Sequence, residues 1–163
     1  MDTIQFTSQI FVSKRYAIED DEELEESHNE ISIHVNGRNL LDLVQQVERE
    51  VLDPQNLRNP SDRSYAGLNP EWRPNLRNEF LGNTADPYSV LLTCTCYEDG
   101  CNSIIAKIEV GFQTVTWRDF TSVLHGEQSR SWGGTPIDYS SLGPFVFDRR
   151  QYMEALDALH LNE

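Results

Sequence analysis

The chain has 163 residues with 13 Lys and Arg against 27 Asp and Glu, a formal charge of -14. That length suits one domain able to bury about two-thirds of its unfolded surface. The charge opposes binding to nucleic acid phosphates or an anionic membrane surface, so any macromolecular partner is expected to be basic. Hydrophobic residues make up only 38%, yet 3 Trp, 6 Tyr and 7 Phe can fill a core with few side chains. No stretch approaches the roughly 20 apolar residues of a membrane span, and Met1 to Gln5 lack the basic and apolar regions of a secretory signal. A cytoplasmic location is therefore expected.

Ile4, Phe6, Ile10, Phe11, Val12, Tyr16 and Ile18 stand among polar neighbours, a β-branched and aromatic enrichment that predicts a strand over residues 3 to 18. Glu19 to Glu26 then hold seven acidic residues in eight, half of the net charge. An acidic loop over about 19–30 follows, either solvated and self-repelling or a docking surface for a basic partner. It lacks the spaced carboxylates and central glycine of a calcium loop. Ile31, Ile33 and Val35 alternate with Ser32 and His34, which predicts a half-buried strand with His34 on its wetter face. Asn36-Gly37 makes a turn. Leu40, Val44, Val47 and Val51 recur at helical spacing, and Pro54 ends the helix of residues 39 to 52.

Residues 53–87 contain five of the seven prolines and no sustained period, an irregular segment that Tyr65, Trp72 and Phe80 are expected to pin to the core, with a functional groove wall as the other reading. From Tyr88 a meander is expected. Val90, Leu92, Cys94 and Cys96 share one face of its first strand, and Ile104, Ala106, Ile108 and Val110 one face of its second. Keeping both sets on one side pairs Cys94 with Ile104, Leu92 with Ala106 and Val90 with Ile108, with Tyr97 to Cys101 as a five-residue turn. The third strand, from about Thr114 to Phe120, is joined through Gly111-Phe112 and sets Trp117 opposite Ala106. Asp148 followed by Gln151 is a capping pattern for a helix near 149 to 160 that buries Tyr152, Ala155, Leu156 and Leu159. The expected fold is α+β, an antiparallel sheet containing a meander, packed by two helices and a long irregular segment.

The three cysteines of the chain, Cys94, Cys96 and Cys101, lie within eight residues. A C-x-C followed by a turn cysteine brings three thiolates to one hairpin end, and tetrahedral zinc needs a fourth ligand, for which His125 is the best placed histidine. Two other readings stand beside zinc. Cysteine packs as a small buried hydrophobe, and a thiol can be reactive where a cation or His lowers its pKa. Glu98 and Asp99 work against that last reading. Arg149 and Arg150 in a helix first turn oppose its dipole, which points to a salt bridge or an anion contact, the chain's own carboxylates being the nearer source in so acidic a protein.

Five motifs together are similar to a set of small uncharacterised bacterial proteins: Gly37-Arg38-x-Leu40; Tyr65-Ala66-Gly67-Leu68; Cys94-x-Cys96 with Gly100-Cys101; Val115-Thr116-Trp117-x-x-Phe120; and Asp138-Tyr139-x-x-Leu142-Gly143-Pro144-Phe145-x-Phe147-Asp148-Arg149-x-x-Tyr152. In that family the cysteine segment reads C-x-C-G-x-x-G-C, and Tyr97 here replaces its first glycine. The resemblance implies a bacterial cytoplasmic domain and no particular activity. Two functions are carried forward: a non-enzymatic acidic interaction protein, of the toxin-neutralising immunity kind, and a small thiol- or zinc-dependent enzyme using Cys101 and His125.

Overall fold

The computed structural model describes residues 1–17, 22–55, 65–94, 102–123 and 136–161; for 13–17, 22–24 and 55 it describes the backbone alone. The architecture is α+β, with two antiparallel sheets and three helices among the described residues. β1 (Ile4–Ala17), β2 (Glu22–Val35) and β3 (Arg38–Asn39) form the first sheet. The second runs, in spatial order, β4 (Tyr65–Ala66), β5 (Ser89–Cys94), β6 (Ile104–Val110), β7 (Thr114–Ser122) and β8 (Phe145–Asp148).

The two sheets touch at both edges. Asp2 donates its N–H to Val146 O (2.9 Å) and takes the Val146 N–H on its carboxyl (2.8 Å). At the other seam Ile31 donates to Leu68 O (2.9 Å). Isolated bridges, Asp2 to Phe147 and Ile31 to Leu68, therefore link the two sheets into one curled wall. Gly67 makes the second seam possible, since a Cβ there would lie 2.4 Å from Ile31 O. Asn36 and Gly37, with φ of 52° and 79°, form the tight turn between β2 and β3 that only such residues adopt without strain.

Three helices pack the wall. α1 (Leu40–Leu52) starts where the Asn39 side chain accepts from Leu41 N. α3 (Arg149–Asp157) is capped by Asp148, which accepts from Gln151 N (2.9 Å) as expected. Of its expected stripe, Tyr152 and Leu156 are fully buried, whereas Ala155 and Leu159 are only partly so. α2 (Leu76–Phe80) is a five-residue helix inside the stretch expected to be irregular. There Tyr65 and Phe80 reach the core, whereas Trp72 is 56% exposed and stacks on His28. The core is aromatic: Trp117 meets Phe147 and Tyr152 edge to face at 5.4 and 6.1 Å, and Phe6 lies 4.8 Å from Phe80. The Trp117 indole N–H donates to Tyr152 Oη (3.2 Å), which donates in turn to Phe80 O, so both polar tips find partners inside.

Three expectations need correction. From Glu22 onward the acidic run is not a loop but strand, paired with β1 without a break from Ala17↔Glu22 to Ile4↔Val35. Glu19 to Asp21 lie outside the described residues. In the meander, Leu92 stands opposite Ile104 and Ser89 opposite Ala106, with an irregularity between Val90 and Leu92. Alternation does not set this register, because Leu91, Leu92, Thr93 and Cys94 are all buried; a strand covered on both faces carries no alternation from which to read register. Trp117 faces Ile108 rather than Ala106. Gly111 N–H closes onto Thr114 O (2.8 Å), placing Phe112 and Gln113 at the tip, and Asp119, at φ 56°, takes up an irregularity further along β7.

Candidate functional site

Of the four residues expected to hold zinc, Cys94 ends β5, is buried, and stands opposite Tyr65 in the register. That placement suits packing and ligation alike. Cys96, Cys101 and His125 lie outside the described residues, as does the Tyr97 to Cys101 turn. Among the described residues no group of three or more His, Cys, Asp or Glu is placed to hold a metal.

Beside Cys94 lies a polar cluster that the sequence reading missed. Glu48 of α1 is fully buried, and its Oε1 accepts from Tyr65 Oη (2.5 Å) and Tyr139 Oη (2.8 Å). One carboxyl oxygen thus joins α1, β4 and the segment before β8. Burial, then the neighbouring Tyr65 and Glu48, push the Tyr139 hydroxyl far above its ordinary range, so it acts as a donor and not as a base. A sequence signal existed: Glu48 sits four residues after Val44 and four before Leu52, in a row otherwise apolar and buried.

Tyr139 and Ser122 also border an open groove of about 1030 Å³ that includes Tyr88, Arg118 and Asp119. Its cation is already engaged. Arg118 holds Glu109 at 2.5 Å and Asp119 at 2.6 Å, and Lys107 lies 3.4 Å from Asp119. The hydrogen bond from Arg118 keeps Glu109 below the usual carboxyl range. Arg149 and Arg150, expected to find carboxylates, divide: Arg150 pairs with Glu154 at 3.1 Å, whereas Arg149 donates to the Gly111 carbonyl.

The third candidate is the far half of the β1–β2 hairpin, which leaves the core as an arm. Ile10 is 74% exposed and Val12 60%, although Ile4 and Phe6 in the same alternating row are buried. On the other face the His28 ring is sandwiched between Phe11 (6.1 Å) and Trp72 (5.6 Å), nearly parallel to both. His28 Nε2 lies 3.0 Å from Glu30 Oε1, and the other oxygen of Glu30 accepts from Gly67 N (3.3 Å), which ties the arm to the wall. Glu25 and Glu26 are exposed on opposite faces of β2, as successive strand residues must be. The arm combines exposed apolar and aromatic side chains with an acidic strand. No family model, curated protein or solved structure matches the chain.

Proposed function

We propose that this chain is a non-enzymatic binding protein that docks a basic protein partner on its acidic hairpin arm, in the manner of a toxin-neutralising immunity protein. The observation that carries the reading is the arm itself. A strand containing Glu22, Glu23, Glu25 and Glu26 pairs with β1 beyond the buried part of the hairpin. Pairing keeps the backbone that carries these glutamates along one line, whereas a loop would spread it. A concentrated negative field speeds the encounter with a basic surface.

Trp72 supplies the short-range part. Its ring, 56% exposed and stacked on His28, adds aromatic contact surface beside the acidic strand. Exposed tryptophan next to matched charge is the composition of an interface hot spot.

The test uses the full chain as bait against its host's basic proteins, followed by association kinetics with the captured partner. Replacing Glu22, Glu23, Glu25 and Glu26 with Gln should slow association roughly tenfold at low salt and flatten its salt dependence. Trp72→Ala should act mainly on dissociation, weakening the complex about tenfold. Association rates unchanged in the Gln variant would return the run to a merely solvated strand.

A further inference from the structure

Backbone parity shows which way the amides of β1 point. Ile4 N–H donates to Gln151 Oε1 (3.2 Å) and Ile4 O accepts from Gln151 Nε2 (2.7 Å), so both groups face away from β2. Thr3 O, one residue earlier, accepts from Asn36 N on the β2 side. Across the ladder Ile31, the partner of Ser8, sends its N–H outward to Leu68. Antiparallel strands alternate strictly between the two directions, and the register is unbroken. Phe6, Ser8, Ile10 and Val12 therefore all turn N–H and C=O away from β2. Asp2 meets β8 on that edge and Gln151 covers Ile4; beyond Ile4 no backbone partner lies on it among the described residues.

An open edge bearing exposed Ile10, Phe11 and Val12 is a template for another strand. Charge decides which strand. In a chain of net charge -14, residues 3 to 18 contain no acidic residue and include Lys14 and Arg15. The β1 edge brings no carboxylate of its own to a seam, which lets an equally acidic chain approach it. We infer that β1 pairs edge to edge, antiparallel, with β1 of a second copy of this chain. A two-fold axis at Phe11 sets Ile10 opposite Val12 of the second copy, outward amide against outward amide. The two acidic β2 strands are then kept three strand spacings apart, roughly 14 Å, beyond the Debye length of about 8 Å at physiological salt. Two acidic molecules thus meet where their repulsion is least. This inference does not rest on the basic-partner reading, and either can fail alone.

Sedimentation equilibrium of the full chain at tens of micromolar tests it. The expected mass is twice the 18.8 kDa of one chain. Val12→Pro removes an outward N–H that the hairpin does not use, and Ile10→Lys with Val12→Lys puts like charges across the seam. Both should sediment as single chains with unchanged near-ultraviolet circular dichroism. Phe112→Lys, at an exposed tip elsewhere, should leave the double mass intact. A single-chain mass for the wild type, or a double mass that survives both β1 variants, overturns the inference.

Discussion

The two halves of the β1–β2 hairpin share one ladder and one alternating pattern, yet they live in different solvents. In the wall half, Ile4, Phe6, Ile31, Ile33 and Val35 are all at most 5% exposed. In the arm, Ile10 and Val12 continue the same row into water. Alternation makes a strand; what lies opposite the face decides whether that strand is core or surface. A period of two therefore predicts local structure well and burial poorly.

The sharpest way to break the comparison is to truncate the wall half. Phe6→Ala should lose about 3–5 kcal/mol of stability in chemical denaturation, because its ring packs against Phe80, Trp117 and Tyr152. Next, Glu48→Ala should cost about 3 kcal/mol, leaving two buried tyrosine hydroxyls without their acceptor, while Glu48→Gln keeps an acceptor and should cost about 1 kcal/mol. Equal losses for the two variants would mean that the hydrogen bonds are not the source.

High pH probes the same interior. Tyr139 and Tyr152 are held protonated by burial, well above their ordinary 10.0. Above that value the unfolded chain sheds protons that the folded chain keeps. Their contribution is thus complete below pH 10 and is lost as pH rises further, by about 1.4 kcal/mol per pH unit for each tyrosine. Urea midpoints at pH 9 and 11 should show the fall, and Tyr152→Phe should make it shallower. The smallest effect belongs to the arm: at protein concentrations low enough to keep the chains single, Ile10→Ala should change stability by less than about 0.5 kcal/mol. A loss near that of Phe6→Ala would show that the arm is folded against something in solution.

Much of this fold was legible in the sequence because local rules agreed with it. The span of α1, the cap of α3, the Asn36-Gly37 turn and the strand character of β1, β6 and β7 each followed from short-range chemistry. Register did not, since β5 is covered on both faces and the β6–β7 tip lies one residue further along than a leading glycine suggests. The acidic run misled for a related reason. Like charges favour solvation, but cross-strand pairing with β1 outweighs that over Glu22 to Glu26. Glu48 was hidden by its neighbours' helical spacing. The motifs behind the family resemblance fall largely on interior residues, among them Trp117, Phe147 and Tyr152, and so speak of architecture more than of chemistry.

The Gln151 amide that stands in for a strand beside Ile4 has a consequence during synthesis. The two residues are separated by 147 positions, and Asp2 waits almost as long for Val146. At roughly 5–20 residues per second, about 7 to 30 seconds pass between the emergence of β1 and that of the side chain that covers its edge. Through that interval β1 is open from end to end, its apolar wall half included, and the nascent chain must be kept from its neighbours until α3 arrives.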